Sequence, residues 1–503
     1  MLKTIQLKSV RYAIGEKPIL QGVSFNCTEK ERVCIFGENG AGKSTLFKII
    51  CGLLEPDEGA VQKQGHIRFV YVPQEFDQSF KDRSIDAYIK GYAGETLYKR
   101  AFSIGVNLGF DLEKNREKLC GSLSGGQQKI LALSTAFAEN PDFILLDEPE
   151  NHLDIVSRKE LITLMGSFRG GMIFISHDRL IIDTVATKVG ELALGNLHIS
   201  EGGYDDYIKM KMERIGGLQR QFDTKTKRIK QLSSSIVILK QKALRGKEIS
   251  AYKRAKEELD ELKQEQKENG RPDDRKTRIK ISQADNKLHG GKLLCKIQEG
   301  SYAYDDTKGR IFSKVNLEVR TGSKIVLLGR NGSGKSTFLK CLTGELTPTH
   351  GDVTWADDIS WAYFDQHAEF DPEANSIEIA STRLKCTDAA AQAALGAMKF
   401  DVGRMKAPVK ALSGGERMRL RFAITFGLKP DFIILDEPTN HIDEVTWEIL
   451  LETCKNSKSS ILLVTHDYEF IQEFDPTLFW VIHNRKILAR HKDLDTLLEE
   501  LKG

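Results

Sequence analysis

The sequence predicts an α/β fold: two tandem domains with parallel-strand cores, joined by an α-helical hairpin. Three observations predict it. Five short motifs recur in the same order at nearly constant offsets, the mark of a duplicated domain. Within each copy, short apolar runs such as Phe143–Leu146, Ile325–Leu328, Phe432–Leu435 and Ile461–Val464 alternate with helix-like stretches, as strands and helices do in α/β units. Between the copies lies a segment with a heptad apolar seam and concentrated positive charge.

The repeat fixes the domains. GENGAGKST starts at Gly37 and GRNGSGKST at Gly329, 292 residues apart, and Gln74 in YVPQE and Gln366 in YFDQH share that offset. LSGGQ begins at Leu123 and LSGGE at Leu412. FILLDEPENHLD ends at Asp154 and FIILDEPTNHID at Asp443. ISHD and VTHD place His177 and His466, and these last three pairs are all 289 residues apart. A three-residue slip therefore lies between the glutamine and LSGG. The reading gives a first domain over 1–207, a linker over 208–290 and a second domain over 291–503.

Composition bounds the function. A chain of 503 residues, 40% hydrophobic, suits several packed domains rather than one core or a disordered chain. The apolar runs fall far short of the ~20 residues that span a bilayer, and MLKTIQLKSV alternates like a strand with no signal-peptide core. Eight scattered cysteines without a CxxC pair argue against zinc or iron–sulfur and suit reduced thiols in a cytosol. The net charge of +3 divides unevenly: residues 208–290 carry 23 basic and 12 acidic side chains, a net of +11, and the remainder carries −8. A near-neutral total hides a basic middle between acidic flanks.

Each motif has a chemical reason. In GxxxxGK[ST] the glycines Gly37, Gly40, Gly42, Gly329, Gly332 and Gly334 let the backbone, with Asn39 and Asn331, curl around phosphate oxygens. The following helix N-terminus, at Thr45 and Thr337, adds positive partial charge. Lys43 and Lys335 are placed to reach the β- and γ-phosphates of a nucleotide, and Ser44 and Ser336 to offer hydroxyls to Mg²⁺. ILLDE and IILDE read as buried parallel strands ending in carboxylates. Asp147 and Asp436 would hold Mg²⁺ through water, and Glu148 and Glu437 would polarise the attacking water as general bases. His177 and His466 read as γ-phosphate sensors, and Gln74 and Gln366 complete the shell of metal and water. LSGG suits a helix N-terminus that presents amides to an anion, which assigns Ser124, Gly125, Gly126, Ser413, Gly414 and Gly415 to the nucleotide. ATP and Mg²⁺ are the cofactors this set implies.

The linker carries Ile215, Leu218, Phe222, Ile229, Leu232, Ile236, Leu239 and Ala243 at heptad steps, on a helix roughly 40 Å long at 1.5 Å per residue. The pattern breaks at Gly246. A second helix then aligns Tyr252, Ala255, Leu259 and Leu262, and Asn269-Gly270-Arg271-Pro272 ends it. From Lys225 to Lys256 there are 11 basic residues and one acid, Glu248. Such a cluster increases self-repulsion unless it meets a polyanion. Lys240, Lys242, Arg245, Lys247, Lys253 and Arg254 are the candidate RNA contacts.

This ordered set of motifs resembles the ATP-binding-cassette (ABC) ATPases across about 420 of the 503 residues. The resemblance implies cassettes paired head to tail within one chain, so that the protein is a monomer. Lys43 would then share an ATP with Ser413–Gly415, and Lys335 one with Ser124–Gly126. It implies an adenine-stacking aromatic early in each cassette: Tyr12 in the first, and Tyr302 or Tyr304 in the second. It makes Asp154 and Asp443 the D-loop residues. Twin cassettes with EPxNHLD-type D-loops and a charged linker resemble the ABC-F branch. For that branch the expected partners are the ribosome, at its exit site, with rRNA and the P-site tRNA near the peptidyl-transferase centre. The expected role is translation factor or antibiotic protection, in the cytoplasm. The alternative is a twin-cassette ATPase of a membrane transporter, and DNA-repair ATPases are set aside for want of zinc modules or longer coiled coils. The chain departs from the pattern at Glu150, where Thr is expected and Thr439 keeps it, and in LSGGQQKILALSTAF, which lacks the basic residues of LSGGERMRLRFA. The Gln-to-Ser spacing of 50 residues in the first cassette leaves no room for a large arm, and the last strand lies too near the final residue for a long C-terminal extension.

Overall fold

The structure, a computed structural model, describes residues 2–37, 40–245, 248–269, 291–304, 309–364, 370–440 and 442–502. In the first copy the strands are β1 (Thr4–Ile14), β2 (Lys17–Thr28), β3 (Arg32–Phe36), β4 (Glu58–Gln64), β5 (Phe69–Val72), β6 (Phe143–Asp147), β7 (Gly171–Ile175), β8 (Lys188–Ala193) and β9 (Asn196–Glu201). Its helices are α1 (Lys43–Cys51), α2 (Ile85–Asn107), α3 (Gly125–Glu139), α4 (Ile155–Ser167) and α5 (Arg179–Val185). A central sheet of order β5-β6-β7-β3-β8-β9 lies beside a smaller sheet of order β2-β1-β4. All five residues of β6 are buried, as a continuous apolar strand between parallel neighbours β5 and β7 must be. Ile35, Phe47, Phe143, Leu145 and Ile173 knit β3, α1, β6 and β7 into one apolar cluster.

The hairpin consists of α6 (Tyr204–Leu244) and α7 (Ile249–Asn269), packed on one another. Leu232 and Leu259 are buried, and Arg228 donates twice to Glu258 Oε1, at 3.0 and 2.8 Å. The chain turns between Leu244 and Ile249, around the expected break; Gly246 itself lies outside the described residues. Helix α6 begins before residue 208, because Asp205 and Asp206 in its first turn complement the positive helix N-terminus. A boundary drawn from net charge misses that acidic start.

The second copy repeats the first. It comprises β10 (Leu293–Tyr302), β11 (Phe312–Arg320), β12 (Lys324–Gly329), α8 (Lys335–Thr343), β13 (His350–Trp355), β14 (Trp361–Phe364), α9 (Ser376–Leu384), α10 (Asp388–Ala397), α11 (Val402–Met405), α12 (Gly414–Gly427), β15 (Phe432–Asp436), α13 (Glu444–Asn456), β16 (Ser460–Val464), α14 (Tyr468–Phe474), β17 (Leu478–His483), β18 (Lys486–Arg490) and α15 (Leu494–Lys502). Sheet order β14-β15-β16-β12-β17-β18 matches the first copy strand for strand. The three-residue slip falls where the first copy has the single helix α2 and the second has α9, α10 and α11. Among the described residues, those of 1–199 and 279–503 form one compact unit and those of 200–278 another. Within the first unit the copies share packing: Ile155 and Val156 of α4 belong to the apolar cluster of Ile449, Phe470 and Leu497.

Candidate nucleotide sites

Both phosphate loops run from a buried strand into a helix through a left-handed glycine. Gly42 (φ 101°) and Gly334 (φ 102°) cap α1 and α8, and a Cβ on either would fall within 2.7 Å of Ile19 or 2.4 Å of Ile311. Glycine is required there on both counts. Lys43 Nζ donates to the Gly37 carbonyl at 2.7 Å, and Lys335 Nζ to Gly329 at 2.9 Å and Arg330 at 3.3 Å. Burial holds the Lys335 ammonium below its usual range, opposed by the charges of Glu437, Asp154 and Asp436. In both copies the lysine folds back on backbone carbonyls of its loop. Asn39 lies outside the described residues.

Beside each loop stands the end of a buried strand. Asp147 accepts from the Ser44 hydroxyl and, at 3.4 Å, from Tyr71. Its Oδ1 is buried with no partner among the described residues, and burial raises its pKa. Asp436 accepts from Tyr363 at 3.0 Å, and burial raises it likewise. A carboxylate with a spare buried oxygen next to a hydroxyl is a fitting donor set for a hard divalent cation. The next residues, Glu148 (φ 45°) and Glu437 (φ 48°), are both left-handed, a strain that clusters where a side chain must be aimed. Glu148 Oε2 accepts from Gln74 Nε2 at 2.7 Å and from Asn151 Nδ2. Glu437 Oε1 lies 3.2 Å from His466 Nε2, and burial pushes its carboxyl up to about 7. Gln366 lies outside the described residues.

The two histidines differ. His466 is 9% exposed. Its Nδ1 accepts from the amide of Ile155, in the other cassette, at 3.2 Å. That bond leaves the proton on Nε2, aimed at Glu437. Burial, with Lys335 and Arg158 adding to it, drives the His466 pKa well down and keeps the ring neutral. His177 is exposed, and its amide donates to Glu150 Oε1 at 3.3 Å. Glu150 also accepts from Ser176 Oγ at 2.6 Å, whereas the second copy has two facing hydroxyls, Thr439 and Thr465, at 2.5 Å. Burial, reinforced by Asp178, pushes the Glu150 carboxyl up to about 7.

The signature segments begin α3 and α12. Ser124 and Ser413 each form a reciprocal cap, with Gln127 and Glu416 respectively. Arg404 binds Glu416 through two 2.7 Å bonds and holds it down at about 2. Ser124, Gly125 and Gly126 share a cleft of about 580 Å³ with Asn331, Glu437 and His466. The cleft therefore joins the first signature to the second phosphate loop. Asp154 closes its rim: Oδ1 caps α4 through Ser157 N at 2.9 Å, and Oδ2 accepts from Asn331 N at 2.9 Å. Asn331 Nδ2 donates to the His152 carbonyl at 2.8 Å. In the second copy Asp443 caps α13 through Thr446 N at 2.8 Å, and His441 lies outside the described residues.

The two tyrosines left open for the second cassette have different surroundings. Tyr302 is only 8% exposed and packs against Phe312, whereas Tyr304 is 61% exposed and its hydroxyl lies 3.0 Å from Thr337 Oγ1 beside the loop. The exposed ring next to the phosphate loop is Tyr304. Tyr12 is half-buried near the start of its cassette. Sequence reading also missed Asn151, Arg158 and Lys129. Aligning the two copies singles out Lys129, whose counterpart at the 289-residue offset is Met418. In the hairpin, Lys240, Arg245, Lys253 and Arg254 are exposed, while the Lys242 side chain and Lys247 lie outside what is described.

The fold and the two sites define a twin-cassette nucleotide hydrolase. The family model described as ABC transporter matches residues 20–151 and 312–440. The chain is 32% identical over 515 residues to the ATP-binding protein Uup of Haemophilus influenzae, covering 93% of this chain and 77% of that protein. It is 28% identical to ABC transporter F family member 5 of Arabidopsis thaliana, covering 93% of this chain and 73% of that protein. Among solved structures, the archaeal ribosome recycling factor aABCE1, crystallised with the stalk protein aP1, shares the fold with a TM-score of 0.69 and 20% identity over 98% of this chain and 92% of that one. The chain belongs to the ATP-binding-cassette family, in its twin-cassette ABC-F branch, and hydrolyses ATP. Among the described residues no helix is long and apolar enough to cross a membrane.

Proposed function

We propose that this chain is a cytoplasmic, monomeric ABC-F ATPase that binds the ribosome at its exit site and presents its hairpin tip to rRNA and the P-site tRNA. It would serve there as a translation factor or as a protector against ribosome-targeting antibiotics. The observation that carries this reading is the tip: Lys240, Arg245, Lys253 and Arg254 are all exposed, within a segment of net charge +11 on a chain whose remainder is −8. Burying none of these charges in the protein leaves them for a polyanion, and release of its counterions drives the association.

At each site the chain's own groups divide the work. Lys43 and Lys335 swing from their carbonyls to the β- and γ-phosphates, and Tyr12 and Tyr304 stack on adenine. Glu148 and Glu437 take the proton of the attacking water, with His177 and His466 beside the γ-phosphate. Ser124–Gly126 close on the nucleotide held by Lys335, and Ser413–Gly415 on the one held by Lys43. The residues described fit Mg²⁺: Ser44, Gln74 and Asp147 in one site, Ser336 and Asp436 in the other, where Gln366 is the expected further ligand. Bound there, the ion would neutralise charge on the phosphates.

The test is co-sedimentation with ribosomes. A Glu148→Gln/Glu437→Gln double variant keeps ATP but lacks both bases, so it is expected to pellet with ribosomes in ATP and not in ADP. A variant that stays in the supernatant with ATP, or that partitions with membranes instead, would falsify the proposal.

A further inference from the structure

We propose that Lys129 is a positioning residue that couples the two ATP sites through helix α3, from a position where the second cassette carries Met418. The inference rests on the assignment of the two nucleotide sites and is independent of ribosome binding.

Helix α3 has one foot in each site. Its N-terminal residues Ser124–Gly126 line the cleft shared with Asn331, Glu437 and His466, the site of Lys335. Little more than one turn further on, Lys129 is 4% exposed. Its Nζ donates to the carbonyls of Pro73 at 3.0 Å, Gln74 at 3.1 Å and Asp147 at 3.2 Å. An ammonium has three protons, and all three are used. Those carbonyls belong to the loop and strand end that aim Gln74, Asp147 and Glu148, the site of Lys43. Gln74 Nε2 then donates to Glu148 Oε2 at 2.7 Å. A movement of α3 imposed by closure of the Lys335 site is thus handed to the general base of the Lys43 site through a single buried cation.

The second cassette does not repeat this cation. Met418 stands at the equivalent position of α12, and a thioether has no proton to donate. The charge of Lys129 is balanced by Glu150 first, then by Asp147 and Glu148. Glu150, 5% exposed, is itself found only in the first copy, where the second has Thr439. The two departures come together, a buried cation with a buried acid. Glu150 itself accepts from Ser176 Oγ and the amide of His177.

A double-mutant cycle on the full chain tests this. ATPase turnover is measured for the wild type, Lys129→Met, Glu437→Gln and the combination, with KM for ATP recorded throughout. If Lys129 transmits the state of the Lys335 site, the effect of Glu437→Gln on turnover is expected to differ by at least about fivefold with and without Lys129. KM is expected to stay within about twofold, because Lys129 bonds only the backbone carbonyls behind Gln74 and Asp147 and neither phosphate loop; loss of packing alone would lower all turnovers by one factor and leave the cycle additive. The variant Lys129→Met/Glu150→Thr installs the second cassette's own pair and removes both buried charges, so it replaces Lys129→Met in the cycle if the single variant fails to fold. A cycle additive within about twofold overturns the inference and leaves the site assignment standing. Full turnover in Glu148→Gln/Glu437→Gln overturns both.

Discussion

At the scale of the residue, the two cassettes place chemically different groups at matching positions, and burial decides what each does. His466 is neutral because its Nδ1 is committed to the Ile155 amide and its surroundings are dry and cationic. It therefore acts on Glu437 as a hydrogen-bond donor, and the approach of the other cassette, which supplies Ile155, sets its tautomer. Glu150 has a measurable cost. Its carboxyl is pushed from 4.5 up to about 7 by burial and by Asp178, against the pull of Arg158, and its charge acts on Lys129 of α3. Between those two values the folded chain keeps a proton that the unfolded chain has released. Stability therefore falls as pH rises through that window. Glu150→Gln keeps the acceptor for Ser176 and His177 and does not titrate. Denaturant unfolding from pH 5 to 8 is expected to show the wild type losing on the order of 2–3 kcal/mol relative to the variant. Parallel stability curves would mean that Glu150 is charged or solvated across the whole range.

At the scale of the element, the strand–loop–helix units were legible because each carries several concordant signals. LDE at the end of an apolar run marks Asp147 and Asp436 for strand ends, and they stand at the tips of β6 and β15. The paired serine caps of α3 and α12 were likewise readable from LSGG. The choice between Tyr302 and Tyr304 was not readable. Both precede β11, and only the register of β10 on β11, with Tyr302 opposite Phe312, shows which ring turns inward. The repeat marks the position of Lys129, but its bonds were hidden for a similar reason: its acceptors are backbone carbonyls, which no residue type announces. Asp154 combines an element's needs with those of the site, since one oxygen caps α4 and the other binds the Asn331 amide across the cassettes. Substitution can separate the two. Asp154→Asn retains a good cap, whereas Asp154→Ala is expected to lose about 1–2 kcal/mol of stability in urea. Both remove the negative charge that favours the Lys335 ammonium, so both are expected to raise KM for ATP. Equal stability of the two variants would show that the cap contributes nothing here.

At the scale of the whole molecule, the duplication gave away the tandem cassettes, but the interactions that join them could not be read from it. Arg179 meets Glu444 at 3.5 Å and Glu469 at 3.0 Å and lies over the Trp447 ring at 4.8 Å. Lys159 meets Asp495 at 3.0 Å. The Arg179–Glu469 and Lys159–Asp495 partners are 290 and 336 residues apart. Arg179 and Lys159 fall at the repeat positions of Tyr468 and Glu448, which are different residue types, so the repeat supplies no pattern for them. The hairpin is the opposite case: its heptads and its charge were plain, because a two-helix element is specified almost entirely by local periodicity. Its chemistry makes the last prediction. Lys240, Arg245, Lys253 and Arg254 sit within a turn or two of the bend, where reversing their charge disturbs neither the buried Leu232 and Leu259 nor the Arg228–Glu258 bonds. A variant with all four changed to Glu is expected to fold and to hydrolyse ATP at the basal rate. Its ribosome affinity should fall steeply, and the dependence of log affinity on log salt should flatten by roughly one unit for each phosphate the tip no longer neutralises. A salt slope equal to that of the wild type, with affinity intact at low salt, would show that the tip meets no phosphate backbone and would return the hairpin to the role of a spacer between cassettes.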